Sequence, residues 1–284
     1  MKKRLLLCLL VVLLSCITAA AQQSQSQPLT FWYEYVINPG KEDDFLDLVK
    51  TVGQPVRDKL MADGVVLGWG MEVPLLRQPG GATHVIWYAV SDWSGVDKVD
   101  SAMRVQIAKF SGGDESKAPA AKKAQKLASV MDRLREDADM GKTRDYLTRD
   151  LVTYETSSFP AGIMPYTRYN YVKVRPGRGG DYRKAWEKYN KPVFDKLVAD
   201  GTLLGYGLSV EEVRTDGDFT HFVWMETKDL SSMEKVRSAF AADREHRSEE
   251  ERNALNDLFL SLVDADASRS EVTRTIVFHV PGAK

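Results

Sequence analysis

The sequence predicts an α+β chain made of two copies of one β-α-β-β-α-β unit. Three observations carry this. First, Gln54 to Gly70 (QPVRDKLMADGVVLGWG) returns as Lys191 to Gly207 (KPVFDKLVADGTLLGYG). Second, the hydrophobic period passes from strand-like to helix-like in the same order in both halves. Third, Pro and Gly mark the same boundaries in each. An offset of 137 carries Pro39 onto Pro176, Asp44 onto Asp181, Pro55 onto Pro192, Thr83-His84 onto Thr220-His221, Trp87 onto Trp224 and Asp92 onto Asp229. That period is too long for a solenoid repeat and matches a small domain duplicated whole. By Thr148-Arg149, which pairs with Thr273-Arg274, the offset has dropped to 125. The first copy therefore carries an insertion of about a dozen residues, placed at Ser111 to Pro119 (SGGDESKAP) by its Gly, Ser, Pro and charge content.

Phe31 to Ile37 (FWYEYVI) reads as the first strand, closed by Pro39-Gly40. Glu42 to Met61 places Phe45, Leu48, Val49, Val52, Val56 and Leu60 on one helical stripe, as Tyr182, Ala185, Trp186, Tyr189, Val193 and Leu197 do in the second copy. Pro55 and Pro192 fall inside that pattern, where an interior proline costs roughly 3 kcal/mol, so a kink or a break into two shorter helices is expected in both copies. Gly64 and Gly201 end the helices in the left-handed position. Val65 to Val73 and Ala82 to Val90 follow as two strands. Ser94-x-x-Asp97 and Ser231-x-x-Glu234 have the form of capping boxes opening a second helix, which runs through Leu127, Val130, Met131 and Leu134 or through Leu255, Leu258, Phe259 and Leu262. The charged run Asp243 to Arg252 reads as a solvated face of that helix. Tyr146 to Tyr154 and Val272 to Val280 supply the last strands.

Each unit would be a ferredoxin-like antiparallel sheet with helices on one face and nothing on the other. An apolar face of that size does not stay exposed, and two copies in one chain can cover each other. On its element order, on Val36-Ile37-Asn38-Pro39-Gly40 before an amphipathic helix, and on Asp92-Trp93-Ser94 at the second helix start, the chain resembles the dimeric α/β barrel superfamily, with both repeats fused. The resemblance covers Phe31 to Pro281. It implies two ferredoxin-like units packed sheet to sheet as a pseudo-symmetric barrel around a central cavity. The superfamily includes cofactor-independent monooxygenases, haem-degrading monooxygenases, chlorite dismutase-like haem proteins and stress-related proteins, so it implies a fold and leaves the activity open.

The expected organisation is a signal peptide at 1–21, a polar tether at 22–30, and repeats at 31–158 and 159–284. Lys2, Lys3 and Arg4, an apolar run from Leu5 to Ile17, and Ala19-Ala20-Ala21 form the pattern of a secretory leader, so an exported protein is expected, periplasmic or secreted. A lipid anchor at Cys16, after Leu14-Ser15, is the alternative. Cys8 and Cys16 are the only cysteines and lie in this segment, so a processed chain has no disulfide, thiolate metal site or cysteine nucleophile. The 39 basic and 40 acidic residues are evenly mixed, which argues against nucleic acid and against an electrostatic membrane surface. No later segment is apolar for long enough to span a bilayer.

Strand alternation puts Trp32, Glu34 and Val36 on one face of the first strand and Tyr169, Tyr171 and Lys173 on the same face of its copy. Trp69 and Tyr206, each between two glycines, are candidates for the same lining. These rings either contact a ligand or fill the space between the sheets. His84 and His221 recur at the start of the third strand, where an imidazole can move a proton or ligate iron, or simply bond to Thr83 and Thr220. Arg149 and Arg274 recur on the last strand and either close a strand edge or offer a fork to an anion. No metal motif, nucleophile elbow, phosphate loop or dinucleotide fingerprint is present, and no cofactor can be named. The reading is an exported barrel enclosing a small apolar molecule. A cofactor-independent or haem-handling monooxygenase-like enzyme and an interaction module with a filled barrel are the alternatives, and a second copy of the chain is a candidate partner.

Overall fold

The computed structural model describes residues 27–110, 120–156, 162–215 and 218–280. The expected leader with its cysteines, most of the tether and the insertion at 111–119 lie outside the described residues. In the first copy the order is β1 (Leu29–Tyr35), α1 (Glu42–Leu48), a π-helical turn (Val49–Gly53), α2 (Gln54–Ala62), β2 (Val66–Pro74), β3 (His84–Val90), α3 (Trp93–Phe110), α4 (Ala120–Asp137) and β4 (Arg144–Glu155). In the second it is β5 (Tyr166–Val174), α5 (Gly179–Tyr189), α6 (Lys191–Ala199), β6 (Gly205–Glu211), β7 (His221–Thr227), α7 (Leu230–Glu245), α8 (Glu249–Leu262) and β8 (Val263–His279).

The eight strands close into one antiparallel barrel in the order β1-β3-β2-β8-β5-β7-β6-β4. The last strand of each repeat makes the closure. β4 pairs with β1 of its own copy and with β6 of the other, and β8 pairs with β5 and with β2. Four antiparallel steps separate β1 from β5, so the two first strands run the same way and the repeats are related by a pseudo-twofold axis along the barrel. Both free sheet edges disappear in this arrangement, which removes the liability of an unpaired strand.

Ahead of Pro55 the first helix runs on through the π-helical turn Val49–Gly53, and ahead of Pro192 it breaks at Asn190 into two. Pro55 and Pro192 stand in the first turn of α2 and α6, where a missing N–H costs nothing. Gly64 and Gly201 follow with φ of 72° and 76°. The expected Ser capping boxes are corrected. Asp229 caps α7 by accepting from the Ser232 N–H, and Asp92 accepts the equivalent bond from Gly95, while Ser231 and Ser94 donate their hydroxyls to these aspartates. The charged run Asp243 to Arg252 is solvated as expected, but its place on a single helix is corrected, because α7 ends at Glu245 and a true capping box of Ser248 with Glu251 starts α8.

Two helix-side cores flank the barrel wall. One holds Phe45, Val49, Trp69, Ile86 and Tyr88, and the other Tyr182, Trp186, Phe194, Tyr206 and Met225. A third apolar cluster lies inside the barrel.

Candidate functional site

The interior cluster comprises Trp32, Val85, Tyr146, Tyr169, Tyr171, Phe219 and Phe222, with Trp87 and Trp224 against it. Trp32 meets Tyr169 and Phe222 edge-on at 5.7 and 5.5 Å and lies along Tyr146 at 6.0 Å. These edge-to-face rings fill the middle of the barrel. Trp32, Glu34, Tyr169 and Tyr171 are thus brought together inside. Trp69 and Tyr206 are not, and their expected place in the lining is corrected. Trp69 donates to Asp58 (2.8 Å) and stacks on His279, while Tyr206 donates to Asp195 and stacks on Phe194. The reason is their flanking glycines. Those face inward to admit Trp87 and Trp224: a Cβ at Gly70 would stand 3.0 Å from the Trp87 indole, and one at Gly207 would stand 2.4 Å from Trp224 Nε1.

Buried carboxylates thread this aromatic interior. Glu72 is 1 % exposed and accepts from Trp87 Nε1 (2.9 Å), Tyr169 OH (3.0 Å) and Thr273 Oγ1 (2.5 Å). Its burial raises its pKa despite those donors. Asp150 accepts from Ser209 (2.6 Å) and Thr30 (3.2 Å) and is pushed by burial up to about 6. Towards the other end, burial and the nearby Glu155 and Glu72 push Glu226 well up.

One end of the barrel opens into a cavity of about 430 Å³ lined by Glu34, Arg144, Tyr146, Asp218, Phe219 and Arg269, and an adjoining cavity of about 210 Å³ adds Glu271 and the turn from Gln78 to Ala82. Its chemistry comes from the repeat. Glu34 corresponds to Tyr171, Tyr146 to Glu271 and Arg144 to Arg269, so each half supplies one Glu, one Tyr and one Arg with the Glu and Tyr positions exchanged. Tyr146 OH donates to Glu34 Oε1 (3.1 Å), the Arg269 guanidinium lies 3.9 Å from the Tyr171 ring centroid, and Arg269 Nη1 is 3.8 Å from Glu271 Oε2. Burial, reinforced by the nearby Glu34 charge, pushes Glu271 up to about 7, with Arg269 pulling the other way. Burial raises Glu34 as well, against the pull of Arg269 and Tyr146. A carboxyl group poised near neutrality beside a fixed cation and phenol donors can take a proton from a bound molecule and hold the resulting anion.

The recurring histidines are elsewhere. His84 and His221 open β3 and β7 on the helix side of the wall, with Nδ1 3.0 and 2.9 Å from the Thr83 and Thr220 hydroxyls and rings set against Phe45 and Tyr182. Burial lowers both pKa values, His221 to about 4 with a further push from Arg214. Neither imidazole lines the cavities at the mouth, so these side chains do not fit an iron ligand or proton carrier in the barrel interior. Arg149 forms a two-pronged ion pair with Glu212 on the outer surface, and Arg274 is exposed on the same face of its strand. Among the described residues no group of three or more His, Cys, Asp or Glu is placed to hold a metal, and no helix is long and apolar enough to cross a membrane.

Sequence reasoning missed Glu72, Arg144, Tyr146, Arg269 and Glu271. The offset of 125 pairs Arg144 with Arg269, and that match was the available signal. It was hidden because β8 starts at Val263 rather than at Val272.

The same barrel occurs in solved structures. Over 91% of this chain and 97% of the other, it superposes with a TM-score of 0.59 at 11% identity on a structure described as a putative monooxygenase from Fusobacterium nucleatum subsp. nucleatum ATCC 25586. The chain has the fold of a fused, pseudo-symmetric α/β barrel. A structure described as a putative monooxygenase from Lactobacillus acidophilus NCFM matches with a TM-score of 0.55 at 10% identity, covering 91% of this chain and 98% of that one. An anthrone oxidase-like protein matches at 0.52 and 11%, covering 91% and 95%. No protein-family model and no curated protein matches the sequence. At these identities the likeness is one of fold.

Proposed function

We propose that this fused barrel is a cofactor-independent oxygenase that binds a small aromatic molecule with an acidic C–H group at the barrel mouth. The observation that carries the reading is Glu271, with a proton affinity near neutrality, set beside Arg269 in the smaller cavity; Arg269 and Glu34 also line the adjoining cavity of about 430 Å³, a size that suits a small organic molecule. Glu271 takes the proton, and Arg269 with the Tyr146 and Tyr171 phenols stabilises the carbanion or enolate. That electron-rich anion then reduces dioxygen. For a ring methylene the overall change is CH2 + O2 → C=O + H2O: one oxygen atom ends in the carbonyl, the other in water, and the substrate carbon supplies the four electrons. The three similar structures, two of them named as monooxygenases and one as anthrone oxidase-like, favour this class over simple ligand storage.

The test uses an oxygen electrode and an anthrone as probe. One dioxygen consumed per quinone formed, with the rate reduced about 100-fold or more in Glu271→Gln, supports the reading. Binding of the probe without oxygen uptake would instead support a carrier. We also propose that Met1 to Ala21 directs export. A mature N-terminus at Gln22 supports this, and retention of the leader in the exported fraction contradicts it.

A further inference from the structure

The first repeat contains a second polar feature that the barrel mouth does not use. Arg57, on α2, lies over Trp69 between that helix and the outer face of the sheet and is only 6 % exposed. Among the described residues no carboxylate lies within the 4.0 Å of an ion pair with it, its Nε is buried without a hydrogen-bond partner, and no acceptor bonds its other nitrogens. The adjacent acid, Asp58, is occupied on its far side by Trp69 Nε1 (2.8 Å), His279 Nδ1 (3.1 Å) and Gln54 Nε2 (3.2 Å). Near the guanidinium stand Trp69, at 5.4 Å from its carbon, and the hydroxyl-bearing rings of Tyr33, Tyr35 and Tyr88, with Asp145 opposite Tyr33 on the neighbouring strand. Tyr33 stacks on Phe31 at 4.8 Å, and Phe31, Tyr33 and Tyr35 are partly exposed, so this aromatic patch reaches the surface, and of the guanidinium nitrogens only Nε is fully enclosed without a partner. Gly53 makes room for the charge, since a Cβ there would stand 2.4 Å from Arg57 Nη1.

The second repeat provides an internal control. Phe194 occupies the position of Arg57, Asn190 that of Gly53, Asn170 that of Tyr33, Val172 that of Tyr35 and Met225 that of Tyr88. There Phe194 packs face-on against Trp186 and Tyr206 at 5.6 and 5.1 Å. The fold therefore needs no cation at this point. Burying a guanidinium without an acceptor is costly, and such a charge is compensated when an anion meets it. A planar carboxylate matches the fork of the guanidinium, and the surrounding rings suit a flat apolar body.

We propose that this patch of the first repeat is a binding site for a small aromatic carboxylate, with Arg57 holding the carboxylate and Tyr33, Tyr35 and Tyr88 supplying hydroxyl donors and walls. It stands apart from the barrel mouth and does not depend on the oxygenase reading.

The experiment titrates the purified protein with benzoate and with benzamide, its neutral counterpart, by calorimetry and by quenching of tryptophan emission. Benzoate is expected to bind with a Kd of about 1 mM or tighter, and benzamide at least about tenfold more weakly, the difference that a fork to a charged group makes. Arg57→Phe imports the residue of the second repeat, so it is expected to fold with an unchanged or higher Tm and to lose benzoate binding. Arg57→Lys is expected to retain part of it, and Glu271→Gln all of it. Equal binding of benzoate by Arg57→Phe, or no binding by the unmodified protein, would overturn the assignment.

Discussion

At the scale of single residues, the interior carries more acid than base, and the consequence is a pH dependence whose sign can be worked out. Glu271 has a folded pKa of about 7, raised above the ordinary glutamate value. Folding therefore favours its protonated form. The resulting penalty is absent below the unfolded value, grows as pH rises from about 4.5, and is complete above about 7. Asp150, held up to about 6, acts in the same direction. His221 acts in the opposite one. Its folded pKa, lowered to about 4, means that stability is lost as pH falls from about 6.5 towards 4. Glu271→Gln removes one term only, so it is expected to be more stable than the parent by up to ~3 kcal/mol at pH 8 and by less than ~1 kcal/mol at pH 5. Thermal unfolding at the two pH values measures this. An equal shift at both would mean that the gain is packing and not charge.

At the scale of elements, most of the fold was legible and much of the mouth was not, for the same physical reason. Strands half buried on a barrel wall alternate strictly, so the sequence of β1 and β5 placed Trp32, Glu34, Tyr169 and Tyr171 on the inner face, where the structure has them. Glycine carries no side chain to mark a face, and the paired glycines around Trp69 and Tyr206 concealed the fact that the inward groups are Trp87 and Trp224. The start of β8 was missed because Asp264 to Glu271 is polar enough to read as loop, although it pairs with β5 back to Val174. The prolines were read correctly because their cost inside a helix admits few solutions. Pro192 stands in the first turn of α6, so Pro192→Ala is expected to change stability by less than ~1 kcal/mol in denaturant unfolding. A loss near ~3 kcal/mol would show that the ring itself enforces the break.

At the scale of the whole molecule, neither repeat is complete without the other, because β4 and β8 each finish the sheet of the opposite half. Residues 27–156 and 162–280 produced as separate chains should therefore associate when mixed, with a sedimentation coefficient close to that of the intact protein, since each alone would expose an unpaired edge and an aromatic face. Two stable, non-associating halves would argue against closure as the source of stability. The shared mouth is a product of that closure: Glu34 and Tyr146 come from one half, Arg269 and Glu271 from the other. Its assigned chemistry is tested most directly by the pH dependence of oxygen uptake with the anthrone probe, compared between the intact protein and Glu271→Gln. The rate is predicted to rise with pH through about 7 as Glu271 loses its proton, and this limb should vanish in the variant. Uptake no faster than in buffer, or the same profile in both proteins, would contradict it.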